Sequence, residues 1–282
     1  MTLLVRDEED VLDANITYHL EQGVDLLIVT DNLSVDGTRD ILESYEKAGH
    51  LHYILETDDD FSQSDWVTRM ARMASTDYGA DWVINNDADE FWWPKEGNLK
   101  STLEAIPESI EWVWARRMNF VPRPPQRTAT FELMTVREVE SFKDDGAPLP
   151  TKACHRAHPE VIVASGNHAA HAPGLNVAAE SDPIVVFHFP LRRYEQFENK
   201  IVLGGRAYKR NKRLPAIVGH TWRTLYELYE EGELPEYWAM KEHDGEMVAA
   251  GIEAGRLIED RRLLGFLKQR RIPTGALMEL IK

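Results

Sequence analysis

Short apolar runs alternate with stretches of helical spacing along the first hundred residues. TLLV (2–5) reads as a strand; in VLDANITYHLEQG, which follows, Val11, Leu12, Ile16, Tyr18 and Leu20 recur at roughly helical spacing until Gly23 stops the pattern. LLIVT (26–30), LHYIL (51–55) and WVIN (82–85) repeat the apolar run. Between them lie TRDILESYEKAG, with Ile41, Leu42 and Tyr45 turned inward, and a helix starting near Gln63 that aligns Trp66, Val67, Met70 and Met73. Strands separated by helices of this length imply βαβ units and a parallel sheet covered on both faces. In such a sheet the loops at the carboxyl ends of the strands face one crevice, where ligands bind.

Beyond residue 107 the pattern changes to longer mixed strands: IEWVWARR (110–117), TFELMTVRE (130–138), EVIVAS (160–165) and IVVFHF (184–189). From Leu191 onward the spacing is helical, with Tyr194, Phe197 and Ile201 followed by WRTLYELYEEG and RRLLGFLKQRR. The expectation is one α/β domain over residues 1–190 and a helical C-terminal extension over 191–282.

Charge narrows the function. Forty-eight acidic side chains against 32 Lys and Arg give a formal charge of -16, a field that repels a bare phosphate polymer, so nucleic acid is not expected as a partner. A single cysteine, Cys154, excludes an internal disulfide framework. The MTLLVRDEED start lacks the basic lead of a secretory signal, and no apolar run approaches membrane-spanning length. The expectation is a cytoplasmic protein without a transmembrane segment, for which peripheral membrane contact stays open.

The stretch VINNDADEFWWP (83–94) places Asp87, Asp89 and Glu90 directly after a buried strand. Two carboxylates at spacing two project to one side of an extended backbone and can share a hard cation. DNLSVDGT adds Asp31, Asn32 and Asp36 at an equivalent strand end. A solvated acidic loop is the plainer account of an isolated Asp-x-Asp; two such loops in one crevice shift the balance toward a cation site that takes a phosphorylated ligand. Neither GxxxxGK[ST] nor GxGxxG occurs, which argues against kinases and dinucleotide enzymes.

Together, VRDEE near the start, DNLSVDGT after the second strand and NNDADEFWWP after the fourth resemble the GT-A glycosyltransferases, more closely the family 2-like group with a segment of the HFPLRRYEQF type. The resemblance covers about residues 3–95 and again 184–200. It implies a GT-A (Rossmann-like) fold and transfer of a hexosyl unit from a UDP- or GDP-linked donor to a glycan, lipid-linked or small-molecule hydroxyl acceptor, with inversion and with Mn²⁺ or Mg²⁺. By the same resemblance Arg6, Glu8, Asp31 and Asn32 hold the nucleotide, Asp87 faces the ribose or sugar, and Asp89 binds the metal. His188 in VVFHFP completes the metal shell, against a plainer reading as a packed strand histidine.

In the basic segment 191–213, Arg192, Arg193 and Lys200 could approach the donor diphosphate, and Lys209 to Arg213 could meet an anionic acceptor or lipid headgroup; a solvated helix face is the plainer account. CHRAH and NHAAH lack zinc-site context, and His168 is expected in a loop on the acceptor side. Of Trp92 and Trp93, one ring is expected in the core and the other against the cleft. For the base that takes the acceptor proton, Glu180, Asp182 and His168 stand in suitable loops. Two rivals remain: a haloacid-dehalogenase-type phosphatase, which expects Thr or Val where this chain has Phe91, and a noncatalytic sugar-binding protein.

Overall fold

The computed structural model describes residues 1–59, 62–124, 130–179, 182–211 and 218–272. Its strands are β1 (Thr2–Val5), β2 (Leu27–Asn32), β3 (Leu51–Glu56), β4 (Trp82–Asp87), β5 (Glu90–Pro94), β6 (Trp112–Asn119), β7 (Val136–Glu138), β8 (Lys152–Arg156), β9 (Ile162–Val163), β10 (Ala170–His171), β11 (Ile184–His188) and β12 (Leu257–Glu259). Its helices are α1 (Leu12–Glu21), α2 (Thr38–Lys47), α3 (Gln63–Thr76), α4 (Leu99–Glu104), α5 (Thr130–Leu133), α6 (Tyr194–Arg210), α7 (His220–Glu231), α8 (Leu234–Lys241), α9 (Gly245–Glu253) and α10 (Arg262–Arg270).

The described residues form an eight-stranded central sheet in the order β3-β2-β1-β4-β8-β6-β11-β5. β3, β2, β1 and β4 run parallel, as the alternation of strands and helices predicts. β8 runs antiparallel to β4 and β6, β6 and β11 are parallel, and β5 returns antiparallel along β11. The GT-A-like α/β expectation holds, with a mixed second half.

Burial follows the strand period. Leu3 and Val5 on β1, with Leu27 and Val29 on β2, join the core beneath α1, α2 and α10, while Ile28 and Val83 point to the other face against Val67, Met70 and Ala71 of α3. Leu263, Leu264 and Leu267 of α10 lie in the same core as the first strands, so the C-terminal segment packs into the sheet domain. α6, α7 and α8 bury a separate cluster around Phe197, Leu234 and Trp238.

Two local expectations need correction. TFELMTVRE is a short helix followed by β7, because Val136 and Glu138 find a partner strand in β12, whereas Thr130 to Leu133 do not. EFWWP forms the strand β5, in which Phe91, Trp92 and Trp93 pair opposite Phe187, Val186 and Val185. Trp92 is fully buried and donates its indole N–H to Asn86 Oδ1 at 3.0 Å. Trp93 stacks on Phe187 at 5.2 Å under the guanidinium of Arg262, so it seats α10 and does not line the cleft.

Candidate functional site

The strand register levels the acidic loops with one another. Val5 on β1 pairs with Asp31 on β2, and Leu4 pairs with Asp87 on β4, so both loops open at one end of the sheet. The loop joining β4 to β5 is held from α1: Asn15 Nδ2 donates to the carbonyls of Ala88 at 2.9 Å and Glu90 at 2.8 Å, and Asn15 Oδ1 accepts from Asn86. This fixes the backbone that carries Asp89 and Glu90 at the mouth of the crevice. From the other side, Phe189 N–H donates to Asp89 C=O at 2.8 Å, which draws the end of β11 and its His188 to the same point.

Five carboxyl groups, Glu8, Asp10, Asp87, Asp89 and Glu90, meet four cationic side chains, Arg117, Lys152, Arg192 and Lys200. Arg192, fully buried, donates to Asp10 at 2.7 and 3.0 Å, to Glu8, and to Phe189 C=O at 3.2 Å. Lys200 on α6 reaches Asp89 Oδ2 at 3.0 Å and Glu8 Oε1 at 3.1 Å. Burial alone would raise Asp89, but the positive charges of Lys200 and Arg192 outweigh it and hold the carboxyl well below the usual range. Burial dominates at Glu8 and raises it.

On the far side Lys152, buried in β8, bridges Asp87 and Glu90 and lies 3.1 Å from Glu90 Oε1. Burial would strip its proton, but Asp87 and Glu90 keep it an ammonium. Glu90 is pushed up to about 7, chiefly by burial, and its Oε2 is buried without a hydrogen-bond partner. Lys152 and Asp87 are therefore the ion pair here, and Glu90 keeps its proton through the acidic range. Asp87 Oδ1 also accepts from Asn167 Nδ2 at 3.0 Å.

The polar partners of His188 fix which of its ring nitrogens faces the crevice. The carboxylate of Glu138 accepts from the side chain of Asn119, which leaves Asn119 Oδ1 to accept from His188 Nδ1–H at 2.7 Å. The lone pair of His188 is thereby left on Nε2, 3.9 Å from Asp89 Oδ1 and 3.9 Å from Glu90 Oε1. Burial holds this imidazole neutral, its pKa well below the ordinary value. A bare imidazole nitrogen and an oxygen of the Asp89 carboxylate thus face one another, ligand types that Mn²⁺ or Mg²⁺ accepts, while Glu90 Oε1 is taken up by the Lys152 ammonium. Among the described residues no group of three or more His, Cys, Asp or Glu side chains is arranged to hold a metal ion, so Asp89 and His188 would be the protein's only share of such a site.

The expected residues divide by position. Glu8, Arg192, Asp89 and His188 converge, and Asp87 borders them. Arg6 and Asn32 meet at 3.3 Å beside Asp59. Asp31 is fully buried, and its carboxylate accepts from Ser34 N–H at 3.0 Å and Tyr53 O–H at 3.1 Å, which holds the loop after β2 in shape. His168 follows Asn167 and donates Nδ1–H to Thr151 C=O at 3.0 Å; burial brings its pKa down to about 4. Asp182 is not brought to the crevice. It pairs with Arg116 at 2.9 Å before β11 begins, six residues from His188 and so roughly 20 Å away along an extended chain. Glu180 and Arg213 lie outside the described residues. Lys209 pairs with Glu230, and Arg210 with Asp59.

Asp10, Asn119 and Lys152 were not singled out from the sequence. Lys152 had a signal, since in KACHR it shares the strand face of Cys154 and sits alone among buried neighbours. Cys154 and His155 are buried in the middle of the sheet, which accounts for them without zinc.

The family model of glycosyltransferase family 92 matches residues 4–226, well over half of the chain. The chain belongs to glycosyltransferase family 92. Among curated proteins none matches this family 92 chain. Of solved structures, it is similar to S. aureus TarS 1–349 in complex with UDP, at 14% identity over 82% of this chain and 76% of that one, TM-score 0.36. TarS 1–349 alone aligns at 11% identity over 90% of this chain and 91% of that one, TM-score 0.36. Likeness of this degree says nothing about ligand or residue roles here. Membership of family 92 sets aside the phosphatase alternative. Among the described residues no helix is long and apolar enough to cross a membrane.

Proposed function

We propose that this glycosyltransferase takes a UDP- or GDP-linked hexose with Mn²⁺ or Mg²⁺ and transfers the sugar to a hydroxyl acceptor by direct, inverting displacement. One observation carries the reading: His188 Nε2 and Asp89 Oδ1 face each other at 3.9 Å at the carboxyl edge of the sheet, beside the cations Arg192 and Lys200. Asp89 and His188 would hold the divalent ion, which when bound supplies Lewis-acid stabilisation of the leaving diphosphate.

The chain's own groups do the rest. Arg192, locked by Glu8 and Asp10, fixes a positive charge on the donor side before any ligand arrives, so it costs no reorganisation at the moment of reaction. Arg6 and Asn32 form the edge on which the nucleotide rests. Asp87, partly exposed and steadied by Lys152 and Asn167, accepts ribose or sugar hydroxyls. His168 stays neutral at physiological pH and takes the acceptor proton.

Thermal unfolding with UDP, GDP, CDP and dTDP, each with and without Mn²⁺, tests this. A nucleotide that binds the native state raises the melting temperature in a concentration-dependent way. The expected result is a metal-enhanced shift for UDP or GDP; no shift with any of the four would overturn the donor assignment.

A further inference from the structure

The two cations facing Asp89 are built differently. Arg192 is 0% exposed, and its guanidinium is committed to Asp10, Glu8 and the Phe189 carbonyl. Lys200 is 27% exposed and places a point charge on a flexible stem 3.0 Å from Asp89 Oδ2 and 3.1 Å from Glu8 Oε1. One cation is fixed and the other can move. Asp89 divides its oxygens accordingly: Oδ1 faces the bare nitrogen of His188, and Oδ2 is taken by Lys200.

A divalent ion at Asp89 would therefore stand next to an ammonium on the same carboxylate. Like charges that close are unfavourable in a partly buried crevice unless a new anion separates them. The phosphate oxygens of a nucleoside diphosphate are such an anion, and a partly exposed lysine can turn toward one by rotating about its stem.

We infer that Lys200 is a diphosphate-binding residue that neutralises Asp89 and Glu8 in the ligand-free protein and transfers its ammonium to a phosphate oxygen when the donor binds. The inference rests on the proposed donor pocket and adds to it a mechanism of exchange. Lysine leaves the carboxylate only when a better anion arrives, so divalent cation and nucleoside diphosphate bind cooperatively, each tightening the other by the same factor. Between turnovers the acids stay paired and the crevice does not collect stray divalent ions.

The test is calorimetric titration of wild type, Lys200→Met and Lys200→Arg with MnCl₂ alone, with UDP or GDP alone, and with both. Wild type is expected to bind Mn²⁺ about fivefold or more tightly once nucleotide is present. Lys200→Met is expected to bind Mn²⁺ alone about fivefold or more tightly than wild type, because the competing ammonium is gone. The same variant should bind nucleotide alone about tenfold more weakly. Lys200→Arg, which keeps the charge, should stay near wild type for Mn²⁺. A misfolded variant loses both ligands, so opposite changes in the two affinities cannot come from damage to the fold. Lys200→Met binding Mn²⁺ no more tightly than wild type, or nucleotide as tightly, overturns the exchange while leaving the donor pocket standing. Failure of wild type to bind either nucleotide with or without Mn²⁺ overturns the donor pocket, and the exchange with it.

Discussion

His188 donates its Nδ1–H to Asn119 Oδ1 at 2.7 Å, and that bond decides which ring nitrogen faces the acids. Asn119 is held in turn, since its backbone N–H donates to Ser141 Oγ at 2.9 Å and its side chain donates to Glu138. Partners of this kind typically govern metal affinity about 10- to 100-fold. Asn119→Ala should weaken Mn²⁺ binding in the presence of nucleotide by about that factor, while Asn119→Asp, which keeps an acceptor, should lose less. Titration of both variants checks this, and equal loss in the two would assign Asn119 a packing role only.

A second histidine sets a pH dependence away from the crevice. His19 is fully buried, donates Nδ1–H to Asn15 C=O at 2.8 Å and accepts Trp92 N–H on Nε2 at 3.2 Å. Burial drives its pKa down from 6.5 to about 3. The native protein thus refuses a proton that the unfolded chain takes, so this contribution to stability is complete above pH 6.5 and declines as pH falls toward 3. Urea unfolding at pH 6.5 and pH 5 should show wild type losing about 2 kcal/mol relative to His19→Gln, in which the proton has nowhere to bind. Parallel loss in the two proteins would mean that His19 is not the group.

Asp260 joins the C-terminal segment to the sheet domain. It accepts from Arg137 Nε at 2.8 Å and from Arg262 Nε at 2.9 Å, while its own N–H donates to Thr135 C=O at 2.7 Å. Burial would raise its pKa, but the hydrogen bonds from Arg262 and Arg137 overcome that and hold it at about 2, against an ordinary 3.8. Asp260→Asn should cost about 1–3 kcal/mol at neutral pH. Because the folded pKa is depressed, the stability gap between wild type and variant should be full above pH 4 or so and shrink as pH drops toward 2. Guanidinium unfolding across that range measures the gap, and a constant one would remove the charge from the explanation.

Local patterning carried the parallel half of the fold because each of its strands is an apolar run closed by a turn and followed by a helix. The other half depends on pairings between distant segments. β5 pairs with β11, and β8 inserts between β4 and β6, and neither choice is written in the spacing of its own residues. The crevice was legible for a similar reason: Asp87 and His188 end strands, Asp89 sits in the turn directly after one, and strand ends are predictable. Lys152, Asn119 and Asp10 act through side-chain partners that topology alone brings near. Asp182 shows the opposite error, since a loop acid beside a functional strand can sit at its wrong end.

The central claim is that Asp89 and His188 together seat a divalent ion against a nucleoside diphosphate, and Mn²⁺ titration by electron paramagnetic resonance in the presence of UDP or GDP tests it most directly. Wild type should remove one equivalent of Mn²⁺ from solution, at a lower Mn²⁺ concentration when nucleotide is present than when it is absent. Asp89→Asn and His188→Gln should each lose that binding while still unfolding cooperatively. Full Mn²⁺ uptake by either variant would contradict the account.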